Sequence, residues 1–207
     1  MTPEKAYTIL QQHVPSPAVE YCFNLWRDAP FELKLAKSRR SKVGDFTSQS
    51  SRHPRITLNN DLNPYQFLVT YIHEVAHLHV FLQYRNKVDP HGKEWKNTFK
   101  QLMHPMLRKT VFPDEILHEL VRHMMNPMAS SYTDSNLTRA LRAFDKNADK
   151  FVALSDLPEG SLFEFHGRFF KKGQIKRTRI LCREVRSRRN YYVPADALVS
   201  NVQLSLL

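Results

Sequence analysis

The spacing of hydrophobic residues changes period along the chain, and each change marks an element. Ala6, Ile9 and Leu10 recur at helical spacing behind Thr2 and Pro3, which predicts a helix over 3–13 with His13 solvated at its end. Val19, Phe23 and Trp26 predict a second helix over 17–27, with Cys22 a core thiol. Phe31, Leu33 and Leu35 then alternate, followed by Val43 to Thr47 and by Ile56 and Leu58. That is the pattern of three short antiparallel strands, with Lys37 to Lys42 as a basic, solvated turn between the first two. From Tyr65 to Tyr84 the chain is apolar almost all round, so this helix is expected to be buried; Asn63 is its N-cap and Pro64 its first residue. Asp89 and Pro90 are expected to open the next helix in the same way, with Trp95, Phe99, Leu102 and Met103 turned inward. Pro113 to Met125 reads as another helix and Leu137 to Phe144 as a short one. From Phe151 onward short strands return: Leu162–Phe165, Arg168–Phe170, Arg177–Val185, Tyr191–Val193 and Val199–Leu204. Turns are expected at Pro158-Glu159-Gly160, His166-Gly167 and Lys172-Gly173. Five such strands in so short a span suggest a small barrel-like β-module.

Inside the buried helix stands His73-Glu74-Val75-Ala76-His77. Residues i and i+4 lie on one helix face, so His73 and His77 can aim two imidazoles at one tetrahedral zinc. Glu74, beside the first ligand, can reach a water at the metal and act as general base. Downstream, His91 is a candidate third ligand in the first turn of the following helix, and Glu94 is the competing one. The long metzincin pattern fails, because Val80 and Gln83 stand where Gly and His are needed. A second histidine pair, His118 and His123, is spaced i and i+5. The two are about 140° apart on a helix and cannot share one metal, so both are expected at the surface. Tyr71 and Tyr84 are the nearby candidates for stabilising an oxyanion.

The segment HEVAH, followed after thirteen residues by His91-Gly92-Lys93-Glu94-Trp95, resembles the SprT-like family, which includes the Spartan proteases. Phe31-Glu32-Leu33, Val43-Gly44-Asp45-Phe46 and Arg55-Ile56-Thr57-Leu58-Asn59 are similar to that family as well. The resemblance covers about residues 5 to 110. It implies a zincin-like fold, one zinc ion with His91 as third ligand, and proteolysis that depends on DNA in several members. The third strand is expected beside the active-site helix, with the sheet edge taking extended substrate by strand addition. Many SprT-like proteins carry a four-cysteine zinc ribbon behind the catalytic domain. This chain has only Cys182 there, so that site is not expected.

Charge adds a partner to the picture. The chain carries +11 at neutral pH, and residues 161–190 hold ten Lys/Arg against Glu164 and Glu184, a surplus of eight. Phe169, Phe170, Tyr191 and Tyr192 are interleaved with them. Cations for phosphates and aromatics for bases make this a candidate nucleic-acid surface, with Lys171, Lys172, Lys176, Arg177, Arg179, Arg186, Arg188 and Arg189 as the candidate contacts. Two distant cysteines, Cys22 and Cys182, fit a reducing compartment, and residues 1–14 lack the apolar run of a signal peptide, so a cytoplasmic location without membrane insertion is expected.

The sequence therefore predicts an α+β protein in three parts: a zincin-like domain over 1–125, a linker with a short helix over 126–149, and a basic β-module over 150–207. The expected activity is zinc-dependent proteolysis of protein substrates at or on DNA. The alternative is a non-proteolytic zinc-containing protein that binds nucleic acid or regulates.

Overall fold

The structure is a computed structural model that describes residues 1–39, 42–48, 53–129, 134–146, 148 and 151–201. The chain forms two compact units, Met1–Asp145 and Lys146–Leu207.

Among the described residues the first unit holds six α-helices and a three-stranded sheet: α1 (Pro3–His13), α2 (Val19–Asp28), β1 (Glu32–Ala36), β2 (Gly44–Thr47), β3 (Arg55–Asn59), α3 (Pro64–Tyr84), α4 (Lys93–Met103), α5 (Asp114–Met125) and α6 (Ser135–Arg142). The mixed α+β class follows from the two alternating periods in the sequence. Helix α3 starts where its signals stand. Pro64 occupies the first turn, and the Asn63 side chain accepts a hydrogen bond from the Gln66 N–H at 3.0 Å. The same side chain donates to Leu141 O at 2.8 Å and to Asp145 Oδ1 at 2.7 Å, which ties the start of α3 to the end of α6. Phe67, Leu68, Ile72, Val75 and Leu78 of α3 are fully buried. Leu137 and Leu141 of α6, expected between the two domains, lie in the same core. His13 stacks on Phe67, with ring centroids 4.9 Å apart, instead of standing in solvent.

The sheet differs from expectation in strand sense. Its order is β1-β3-β2, and β1 runs parallel to β3; only β2 is antiparallel to it. Alternation fixes which side chains face the core, and it is the same for either sense, so the pattern could not distinguish them. β3 is the central strand and β2 an edge. The basic turn between β1 and β2 is described except at residues 40 and 41. Arg39 in it is engaged, donating to Asn59 Oδ1 at 2.9 Å and to Thr57 O at 3.2 Å.

The second unit is a six-stranded sheet: β4 (Phe151–Ala153), β5 (Leu162–Phe165), β6 (Arg168–Lys176), β7 (Arg179–Glu184), β8 (Asn190–Pro194) and β9 (Leu198–Asn201), in the order β4-β9-β5-β6-β7-β8. β8 and β9 are four strand spacings apart, about 19 Å in a flat sheet. The connection between them, Ala195 to Ala197, reaches only about 14 Å. The sheet must therefore curl. Hydrogen bonds from Leu154 N to Ala197 O at 2.9 Å and from Ser155 N to Ala195 O at 2.7 Å fasten the curled ends. Phe163, Phe170, Ile180, Cys182 and Val199 fill its interior. His166 and Gly167, at φ 54° and 74°, form the two-residue turn between β5 and β6. The expected turn at Lys172-Gly173 is instead a bulge inside one long strand, β6. A Cβ at Gly173 would stand 2.5 Å from Leu181 O, so glycine is there for close backbone approach. Residues 202–204 of the expected last strand lie outside the described residues.

Candidate metal centre and basic surface

α3 delivers two of the three histidines, as its spacing requires. His91 comes from the turn before α4, whose N-cap is Gly92, so the helix opens later than Asp89 and Pro90 suggested. That turn closes through Gly92 N to Asp89 O at 3.0 Å. His77 Nε2 lies 3.2 Å from His73 Nε2 and 3.0 Å from His91 Nε2. Among the described residues this is the group of three that could hold a metal ion, and Glu94 is not part of it.

The arrangement fits zinc on its own chemistry. Burial, with help from neighbouring imidazole charge, holds the pKa of His73 well below its ordinary value and that of His77 at about 4; burial also lowers His91. Neutral imidazoles each offer a lone pair. Three ring nitrogens gathered this closely can share one cation, and nitrogens about 2.0–2.1 Å from a tetrahedral zinc stand about 3.3 Å apart. Trp95 packs the site from beneath. Fully buried, it has its ring centroid 4.6, 5.3 and 4.8 Å from those of His73, His77 and His91. Its Nε1–H has no acceptor among the described residues.

Glu74 is buried on the same helix. Burial first, then the nearby Asp45 carboxylate, raises its pKa to about 8, while the nearby Phe46 backbone N–H works the other way. The sequence pattern did not show this strand contact. Its one signal was a glycine inside a strand. A Cβ at Gly44 would fall 2.4 Å from Glu74 Oε1 and 2.6 Å from Thr70 Cγ2. Tyr71 is no oxyanion group, because its hydroxyl is buried and donates to Cys22 O at 2.8 Å. Of the second histidine pair, His118 is exposed, but His123 is buried in α5, with Nδ1 3.1 Å from Asp134 Oδ2. The i,i+5 spacing that parts the two turns one of them inward.

In the second unit the candidate basic residues fall into separate groups. Lys176, Arg177 and Arg179 sit at the β6–β7 turn, and Arg186, Arg188 and Arg189 follow the far end of β7, about 20 Å away for six residues of strand. All six are exposed, as is Lys171, which pairs across the sheet with the exposed Arg183. Lys172 is a correction: it is buried, and its Nζ donates to Ser155 O at 3.0 Å and to Leu157 O. The aromatics divide as well. Phe170 is core, and Tyr191 is half-buried with the Arg168 guanidinium 4.5 Å above its ring. Phe169 and Tyr192 are half exposed, on the sheet face that carries Lys171 and Arg183.

Helix-borne histidines, a third from the next turn and a buried carboxylate beside them define a metalloprotease-like domain of the HExxH class. The chain belongs to the SprT-like family, whose model matches residues 16–124, more than half of its length. No curated protein and no solved structure matches the chain. Among the described residues no helix is long and apolar enough to cross a membrane.

Proposed function

We propose that the protein is a zinc-dependent protease, with His73, His77 and His91 holding one zinc ion and Glu74 as general base. The observation that carries this is the convergence of three imidazoles beside a buried glutamate that no ion pair occupies among the described residues. When bound there, zinc supplies Lewis acidity, which acidifies water and polarises a carbonyl. Glu74 takes the proton of the attacking water and returns it to the leaving amine. Its raised pKa suits a group that must hold a proton between those steps. Trp95 keeps the imidazole rings in place and excludes water beneath them. The free edge of β2, beside Glu74, is where extended substrate would lie.

The second unit we read as the nucleic-acid contact. Two exposed cationic groups at opposite ends of β7, with Lys171, Arg183, Phe169 and Tyr192 on the face between them, support a backbone lying along the sheet. Proteolysis at DNA then follows as the combined reading, in the cytoplasmic compartment that the cysteine usage suggests. Glu74→Gln tests the chemistry. The variant should retain zinc and fold, yet lose cleavage by about a hundredfold or more, because an amide accepts no proton from water. Full activity in that variant removes Glu74 as base.

A further inference from the structure

Cations are not spread evenly over the curled sheet. β6 and β7 carry Arg168, Lys171, Lys172, Lys176, Arg179 and Arg183. The strands β4, β5 and β9 hold no Lys or Arg, and their one charged residue is Glu164. Strand pairing puts that carboxylate in a defined row. Phe151 stands opposite Ser200, Ser200 opposite Glu164, and Glu164 opposite Phe169. Directly opposed residues of antiparallel strands share a face. Their neighbours along the strands, Phe163, Phe170 and Val199, are buried in the interior, so the row faces outward. Phe151 is 44% exposed there.

Beside this row lies a pocket of about 330 Å³, lined by Phe151, Glu164, Phe165, His166, Leu198 and Ser200. The Phe165 and His166 rings form one wall, their centroids 4.0 Å apart at the tight turn between β5 and β6. Glu164 is half-buried, and among the described residues no ion pair engages it. Arg168, beside Phe169 on β6, is already committed to Glu184 at 2.6 Å. We propose that this pocket takes the side chain of a lysine or arginine presented by a partner polypeptide. The faces of the aromatic rings attract the cation, the Glu164 carboxylate neutralises it, and the aliphatic stem packs on Leu198. A nucleotide fits less well, because its phosphate would approach Glu164 with no cation on β4, β5 or β9 to receive it. The sheet thus has a basic half and a half that receives basic groups. Nucleic acid on the first half would offset the positive surplus that opposes a basic partner at long range. The inference does not depend on the protease reading of the metal centre.

The test is a titration of the full, zinc-loaded chain, followed by the NMR shifts of its backbone amides. Three probes are used: a capped pentapeptide with one central arginine, the same peptide with glutamine in its place, and a short oligothymidylate. The arginine peptide should move the amides of Phe151, Glu164 and Ser200 saturably, and the glutamine peptide should bind about fivefold more weakly or not at all. Glu164→Gln removes the charge alone. Phe151→Leu keeps apolar bulk and removes the ring. Each should weaken the arginine peptide about fivefold. Neither side chain belongs to the interior, and unchanged shifts at Phe163 and Val199 verify the fold. Equal response to the two peptides, or undiminished binding by either variant, overturns the proposal. So does the lack of a saturable shift up to about 10 mM peptide. Oligothymidylate that moves Phe151 and Ser200 where the arginine peptide does not would make the pocket a nucleobase site and overturn it as well.

Discussion

At the scale of single residues, the candidate metal centre is a cluster of three histidines whose legibility in the sequence differed. His73 and His77 could be read directly, since helix geometry alone puts i and i+4 on one face. Residue type alone left His91 and Glu94 both open, the family resemblance favoured His91, and the fold places its Nε2 3.0 Å from His77 Nε2 with the Glu94 carboxylate outside the group. His91→Ala should therefore weaken zinc binding more than about tenfold, and Glu94→Ala should change it little. Metal content after dialysis against a competing chelator measures both, and the reverse ranking would make Glu94 the ligand. His123, Lys172 and Tyr71 were misjudged for a shared reason. A polar residue type suggests solvent or chemistry, but each found a buried partner that lies 11 to 49 residues away: Asp134, Leu157 O and Cys22 O. Gly44 stood out as a glycine within a strand and as part of a family pattern. Its role depends on how closely β2 approaches α3, which no local signal encodes.

Among the elements, helices were legible to within about two residues where caps and periodicity agree; α4 is the exception, opening at Lys93 instead of Pro90 because Asp89 and Pro90 form a turn before it. Sheets were legible in their facing pattern but not in their pairing. β1 against β3 is parallel, and Gly173 marks a bulge, because direction and register are settled by long-range contacts that alternation does not report. β6 and β7 are joined at one end by an ion pair that makes a pH-dependent prediction. Arg168 Nε donates to Glu184 Oε1 at 2.6 Å, and Ser187 Oγ donates to the same carboxylate. These bonds lower the Glu184 pKa from 4.5 to about 2. A depressed carboxylate stabilises the folded state above its unfolded pKa, and that contribution is lost as pH falls toward the folded value. Melting of wild type and Glu184→Gln should therefore differ most above pH about 4.5 and converge toward pH about 2. A gap that stays constant across this range would show that the pair does not control the strand end.

For the whole molecule, charge is distributed unevenly: a surplus of eight of the +11 lies in residues 161–190, within the second unit. If that unit carries the nucleic-acid surface, affinity of the full chain for DNA should fall steeply with salt. Reversing charge at Arg186, Arg188 and Arg189 together should make the salt dependence shallower, by about 0.9 in log–log slope for each phosphate that is no longer neutralised. Zinc content should not change. Binding by the triple variant with the wild-type slope would place the nucleic acid elsewhere on the protein. Composition announced the concentration of charge. It could not tell which cations were already committed to carbonyls inside the fold, as Lys172 is.

The place of β9 bears on how the second unit comes to be made. β9 is the ninth strand along the chain, yet it lies second in its sheet, between β4 and β5. While the polypeptide is being synthesised, β4 and β5 emerge long before the strand that joins them. Until then each presents an unpaired edge, and folding waits on contacts between residues about 45 apart in sequence, a topology that folds slowly. In a crowded ribosome exit environment that open slot is a place where a strand from a neighbouring copy could be donated, so the yield of monomer should depend on how fast translation delivers Leu198 to Asn201.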